Sequence, residues 1–183
     1  MKQTVMLFAT GFEEVEALMT VDLLRRGGVD VKLASITGDM TVCGSHSIQV
    51  GMDTTLAQVD MKQMDAVLIP GGMPGTRNLG KDDAVCQALI DMNGEGKLVG
   101  AICAAPSVLG ACGILDGKRA TCYPGYEDQL GGGIFVDEMA VADGNVVTSR
   151  GLGTSMEFGF KLLELLVSKE KAEEVRESIV FKY

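Results

Sequence analysis

Cys103 stands in Lys97-Leu98-Val99-Gly100-Ala101-Ile102-Cys103-Ala104-Ala105-Pro106, where an apolar, strand-like run gives way to the start of a helix. A thiol at such a junction points outward above a sheet edge, and the backbone N–H groups that open the helix favour its thiolate. Ala101, Ala104 and Ala105 leave room for a tight turn and for a molecule approaching the sulfur. Pro106 suits the first helical turn, where no N–H is needed. Cys103 is therefore the candidate nucleophile or redox thiol. The competing reading is a buried cysteine that serves as a small hydrophobe.

A thiol needs a partner that moves a proton, and Glu16 is the candidate. In Gly11-Phe12-Glu13-Glu14-Val15-Glu16-Ala17, Glu13 and Glu14 suit the solvent side of a helix N-terminus. Glu16 lies one turn in, between Val15 and Ala17, and can point toward Cys103; otherwise it is a solvated helix acid. An ionised Glu16 would raise the thiol pKa, whereas a protonated one would donate a hydrogen bond to the thiolate and favour it. The expected pair is protonated Glu16 beside a Cys103 thiolate, titrating as one coupled system.

Gly71 and Gly72 directly follow a strand-like run and bring backbone N–H groups close to a ligand. With the N–H of Ala104 they suit an oxyanion hole, although glycine pairs also make plain strand–helix turns. Arg150, after Val146–Ser149, suits an anionic substrate, an oxidised sulfur or a structural ion pair. His46 lies in the polar turn Gly44-Ser45-His46-Ser47 and reads as an exposed hairpin residue or a residue bordering the pocket.

The elements that must bring these groups together follow from periodicity. Thr4–Ala9 is a short β-branched and apolar run, and Val15, Leu18, Val21 and Leu24 recur at helical spacing until Gly27-Gly28. Strands follow at Val29–Ser35 and Asp65–Pro70, with a hairpin at Thr41–Val50 between them. A glycine-rich loop at Gly71–Gly75 leads to a helix over Asp82–Met92 and to the strand that delivers Cys103. A helix at Pro106–Ala111, an irregular stretch at Asp116–Gly133, a strand at Asn145–Ser149 and helices at Thr154–Val167 and Lys169–Ser178 complete the chain. Continuous apolar strands alternating with helices predict an α/β fold with a mostly parallel sheet covered on both faces. In such sheets the loops at the carboxyl ends of strands make the site, here Gly11–Glu16, Gly71–Gly75, Cys103–Pro106 and Ser149–Gly153.

Composition narrows the partners. The 183 residues, 46% apolar, suit one domain over 1–183. A formal charge of -9 argues against nucleic acid and anionic membranes, and no apolar run approaches the roughly 20 residues of a bilayer span. The short lead Met1–Thr4 does not suit a signal peptide. Cys43, Cys86, Cys103, Cys112 and Cys122 have neither CxxC nor metal-ligand spacing, so no disulfide framework and no metal site is indicated. A reducing cytoplasm follows as the expected compartment. The loop after the first strand has neither a GxGxxG nor a P-loop pattern, so no cofactor is expected.

Five segments in register resemble the ThiJ/PfpI superfamily, in particular its branch containing the Parkinson-associated protein deglycase. They are Gly11-Phe12-Glu13-Glu14-Val15-Glu16, Asp22–Gly28, Leu68-Ile69-Pro70-Gly71-Gly72, Ala101–Pro106 and Thr148–Thr154, and they span nearly the whole chain. The resemblance implies a flavodoxin-like sandwich, a homodimer, a nucleophile-elbow cysteine at Cys103 with protonated Glu16 beside it, and backbone donors at Gly72 and Ala104. It also implies cysteine oxidation to a sulfinate, cofactor-free glyoxalase or deglycase activity on α-oxoaldehydes or their adducts, and chaperone-like stress protection. Some branches are proteases, and some bacterial members carry a thiamine-biosynthesis label.

This chain departs from the pattern at two places. Tyr123 stands where the deglycase branch often has a histidine near the cysteine, and His46 stands where a pocket arginine is common. A phenol with an ordinary pKa of about 10 is a poor base at neutral pH, which argues against Cys–His amidase chemistry. Asp22 matches an acid that in relatives reaches the neighbouring subunit, and without the histidine its implied role is dimer packing. The expected function is that of a cytoplasmic stress-response protein whose Cys103 meets oxidants or small carbonyl compounds. The alternative is a redox sensor or chaperone-like protein without catalysis.

Overall fold

The computed structural model describes residues 1–182. Strand β1 (Gln3–Phe8) is almost wholly buried and runs into a turn at Thr10-Gly11 before helix α1 (Glu14–Arg26). There follow β2 (Asp30–Ser35), the hairpin β3 (Thr41–Cys43) and β4 (Gln49–Gly51), the short β5 (Thr54–Thr55) and β6 (Ala66–Ile69). Helices α2 (Gly75–Lys81) and α3 (Asp83–Gly94) precede β7 (Leu98–Ile102) and α4 (Pro106–Ala111). The chain continues through β8 (Arg119–Ala120), β9 (Ile134–Phe135), β10 (Ala140–Asp143) and β11 (Val146–Ser149) to α5 (Ser155–Leu166) and α6 (Lys169–Ser178).

The main sheet has seven strands in the order β10-β11-β7-β6-β1-β2-β5. All neighbours are parallel except β10, which pairs antiparallel with β11 at the edge. The interior strands β6 and β7 are buried at every position, as strands covered on both faces must be. One core packs α1, α5 and α6 on one face through Leu23, Leu24, Phe158, Leu162 and Val175. The other packs α3 and α4 on the opposite face through Val85, Leu89, Val108 and Leu109. This is the mostly parallel sheet covered on both faces that the strand and helix pattern predicts, in the flavodoxin-like form that the resemblance implies.

Two local expectations need correction. The glycine-rich loop ends at Pro74, and Gly75 already opens α2, because the N–H of Asn78 bonds back to the carbonyl of Pro74. The stretch 116–133 is not wholly irregular, since β8 pairs in parallel with β9 just beyond it. Strands of two residues carry too little periodicity to be read from sequence.

Strand order sets the position of the site. From β1 the chain winds one way to β2 and the other way to β6, β7 and β11, so the switch point lies between β1 and β6. Ligands bind at such crevices beyond the carboxyl ends of strands. Glu16 follows β1, Gly71-Gly72 follows β6, and Cys103 follows β7.

Candidate active site

The four loops predicted to converge do so through backbone hydrogen bonds. The N–H of Glu13 donates to the carbonyl of Gly71 (2.9 Å), that of Gly75 to Gly11 (3.1 Å) and that of Cys103 to Ser149 (2.9 Å). The β3–β4 hairpin is tied on as well, since the N–H of Ser45 donates to Phe12 (2.8 Å). Together they enclose an open cleft of about 510 Å³ lined by Glu13, Glu16, His46, Gly72, Cys103, Ala104 and Tyr123, among others.

Cys103 occupies the turn between β7 and α4 with φ at +67°, a left-handed conformation held by a residue that has a Cβ. Such a conformation costs about 1–3 kcal/mol and persists only where the surroundings fix it. Here the Cys103 N–H is bound to Ser149, and its carbonyl accepts from the N–H of Tyr123 (2.7 Å). The turn carries the sulfur out of the sheet and into contact with the N–H groups of Gly72 and Ala104.

Glu16 is 1% exposed and is aimed at the sulfur from α1. Its carboxyl is in hydrogen-bond contact with Cys103 and accepts from the N–H of Gly71 (3.0 Å). Gly71 has to be glycine for this pair to meet: a Cβ there would stand 2.5 Å from the Cys103 Cβ and 2.6 Å from Oε2 of Glu16. Gly72, at φ +90°, has a similar constraint, since its Cβ would meet the backbone nitrogen of Glu13 at 2.3 Å.

The electrostatics correct the expectation of a Cys103 thiolate at rest, since the proton is held on the sulfur at neutral pH. Burial, reinforced by the charge of Glu13, pushes the Glu16 carboxyl up to about 7 against the hydrogen bonds from Cys103 and Gly71. Burial and the charge of Glu16 push the Cys103 thiol up to about 12, with the Ala104 and Gly72 amides pulling the other way. An ionised Glu16 thus keeps the thiol protonated, and the thiolate is favoured only when the proton sits on Glu16. The helix-terminus amides alone do not produce a low-pKa cysteine here, because burial and a neighbouring carboxylate outweigh them.

The remaining candidates divide. His46 borders the cleft, with its side chain 70% exposed, and is held by Glu14, which accepts from its N–H (2.7 Å) and its Nδ1 (2.9 Å). A carboxylate only accepts, so Nδ1 carries the proton. Glu14 raises the imidazole pKa through this bond and its charge. Tyr123 is half-exposed beside Cys103, and its ring stands edge-on to Tyr126 at 6.5 Å. Arg150 does not face the cleft as a free cation. Its guanidinium is paired with Asp137 and lies over the Phe135 ring, which corrects its assignment to the pocket in favour of the structural ion pair.

Glu13 and Glu14 are also corrected, being 9% and 3% exposed rather than solvated. Glu13 is the N-cap of α1, its carboxylate accepting from the N–H of Glu16 (2.7 Å). Its role was hidden because Asp, Asn, Ser and Thr are the usual caps. Glu13, Glu14 and His46 bring one ligand atom each to within 4.8 Å, a grouping that no sequence spacing announces. Each is already engaged in the cap or the His46 bonds just described.

A parallel α/β sandwich with a cysteine in a strained strand–helix turn, facing a buried glutamate across its switch point, defines the class. Residues 2–165 match the model of the DJ-1/PfpI family, and the chain belongs to that family. Protein dj-1beta of Drosophila melanogaster is 40% identical over 184 residues, covering 100% of this chain and 98% of that protein. Glutathione-independent glyoxalase DJR-1.2 of Caenorhabditis elegans is 37% identical over 161 residues, covering 87% of this chain and 85% of that one. The crystal structure of a mutant of the DJ-1 superfamily protein STM1931 from Salmonella typhimurium superposes with a TM-score of 0.95 at 35% identity, covering 100% of both chains. Among the described residues no helix is long and apolar enough to cross a membrane.

Proposed function

We propose that the chain is a cytoplasmic stress-response protein that acts on α-oxoaldehydes or their adducts through Cys103, as a cofactor-free glyoxalase or deglycase. The observation that carries the reading is the contact between Cys103 and a carboxyl held at about 7. A base whose pKa lies near the working pH is the best placed to take a proton and return it. As the Cys103 sulfur adds to the aldehyde carbon, the thiol proton passes to Glu16 and the carbonyl electron pair moves onto oxygen. The N–H groups of Gly72 and Ala104 are placed to bind that oxyanion. Return of the proton to oxygen completes a hemithioacetal. Glu16 then carries the hydrogen of the first carbon, as a proton, to the second, oxidising one carbon and reducing the other without a cofactor. Water releases the hydroxy acid from the resulting thioester. The glyoxalase named among the relatives supports this choice of substrate.

The test is turnover of methylglyoxal by reduced protein against Cys103→Ser. Equal rates would refute the reading. Protease or amidase chemistry of the Cys–His type has no comparable support, because His46 is engaged by Glu14.

A second reading rests on the same sulfur. The Gly72 and Ala104 amides and the Glu16 carboxyl suit sulfinate oxygens as well as an oxyanion, so Cys103 also serves as an oxidation sensor. Intact mass after mild peroxide should show two oxygens confined to Cys103, whereas scattered oxidation would argue against it.

The homodimer belongs to the same proposal. Val15 and Ile48 are exposed beside Leu18, Met19 and Met156 in an apolar groove along α1, and such a continuous patch marks an interaction surface. Sedimentation should give a dimer that Val15→Glu weakens.

A further inference from the structure

Two of the remaining cysteines, 26 positions apart and without motif spacing, are brought together by the packing of both α3 and α4 on α2. Cys86 lies in the first turn of α3, and its Sγ is 3.6 Å from the carbonyl oxygen of Gly80 in α2. Cys112 caps the end of α4, its N–H bonded to the carbonyl of Val108 one turn earlier (3.0 Å), which sets both residues on one helical face. Val108 in turn packs on Gly80, its Cγ2 being 3.3 Å from where a Gly80 Cβ would stand. Gly80 thus meets Cys86 directly and, through Val108, the helical face that carries Cys112. The Cys86 thiol lies near enough to Cys112 to act on its charge, and both residues are partly exposed.

We infer that Cys86 and Cys112 form a second thiol site, distinct from Cys103, that hydroperoxides convert reversibly to a disulfide across α3 and α4. Cys86, in the N-terminal turn of α3, is assigned as the first to react, and Cys112, at the C-terminal end of α4, as the resolving partner. The Cys86 sulfur attacks one peroxide oxygen, the O–O bond breaks, and the departing oxygen leaves with a proton as water or an alcohol. Cys86 becomes a sulfenic acid, oxidised by two electrons. The Cys112 sulfur then attacks the Cys86 sulfur, the S–O bond breaks, and the hydroxyl departs with the Cys112 proton as water. A small thiol in excess returns both residues to thiols by exchange, being oxidised to its own disulfide. The site therefore offers a reversible oxidation alongside the one-way passage to sulfinate proposed for Cys103.

Peptide mapping under non-reducing conditions tests this without any variant. After mild hydrogen peroxide, trypsin should release Asp82–Lys97 joined to Leu98–Lys118, lighter by two hydrogens than the sum of the two. The second peptide also holds Cys103, so chymotryptic cleavage after Leu109 is used to separate it from Cys112. The link should remain with the Cys112 fragment and disappear on treatment with dithiothreitol. Cys112→Ser should leave a sulfenic acid on Cys86 that dimedone traps, and Cys103→Ser should form the link as before. Separate addition of oxygens to Cys86 and Cys112 with no joined peptide, or a link that stays with the Cys103 fragment, would overturn the inference. Neither result depends on turnover of a carbonyl compound, so this inference and the proposed activity fail independently.

Discussion

Glu14 and Glu16 are two carboxyls in the first turn of one helix, both buried, and the protein tunes them in opposite directions. Burial pushes each upward, but at Glu14 the ring and amide of His46 outweigh it and hold the carboxyl down at about 2. Glu16 lacks any cation in its hydrogen-bond set, meeting a thiol and the Gly71 amide beside the charge of Glu13, and it rises to about 7. Position on a helix therefore does not decide whether an acid is structural or chemical. What decides is whether the loop facing it supplies an imidazole and an amide as hydrogen-bond donors, as the β3–β4 hairpin does, or a nucleophile, as the β7–α4 turn does.

The largest expected effect is on chemistry. Glu16→Gln keeps the shape but not the proton carrier, so methylglyoxal turnover should fall by about 10²–10⁴-fold, the usual worth of a positioned acid–base group. Glu14→Gln should leave most of the turnover in place. If the two variants fall equally, the distinction between the two acids is wrong. Gly71→Ala drives a methyl between Cys103 and Glu16 and should also abolish most activity, with circular dichroism showing a retained fold.

Next come effects on stability, where the two acids should show opposite signs. Glu16 has a folded pKa of about 7 against an ordinary 4.5, so the folded state binds more protons between these values and stability declines as pH rises through them. Glu16→Gln should remove that decline and be more stable above pH 7, by at most about 3 kcal/mol from the size of the shift. Glu14 has the depressed pKa, so its contribution is present above the ordinary 4.5 and lost as pH falls toward about 2. Glu14→Gln should be destabilising at neutral pH and lose its penalty in acid. Denaturant melts of both variants across pH 2–8 check the two signs together.

The smallest effect concerns the place where a histidine is common. Tyr123 meets Cys103 through its backbone, and its ring is half-exposed, so Tyr123→Phe should change turnover by less than about threefold if the phenol carries no proton. A larger loss would bring the phenol into the chemistry.

Much of this was legible in the sequence, for identifiable reasons. Interior strands such as β6 and β7 announce themselves as unbroken apolar runs, and the residues directly after them, Gly71, Gly72 and Cys103, are thereby placed at one sheet edge. Glu16 was legible because it sits near the start of a helix that must begin at the same edge. The burial of Glu13 and Glu14 was not legible, because it depends on the hairpin carrying Ser45 and His46 folding back over α1. Nor was the pairing of Arg150 with Asp137, or the meeting of Cys86 with Cys112. Those are contacts between segments whose order in space follows from packing rather than from periodicity. The height of the Cys103 pKa was hidden for a similar reason, since helix amides can be read from sequence while burial cannot.

The most direct test of the account is the pH dependence of Cys103 alkylation, followed by peptide mass mapping, in the native protein and in Glu16→Gln. A coupled pair should show two steps in the native protein, one near pH 7 as Glu16 and Cys103 come to share a single proton, and one near 12 as the last proton leaves. Glu16→Gln should lose the lower step and bring the upper one down, because the carboxylate charge that raised the thiol is gone. A single ordinary cysteine titration, unchanged by Glu16→Gln, would contradict the account.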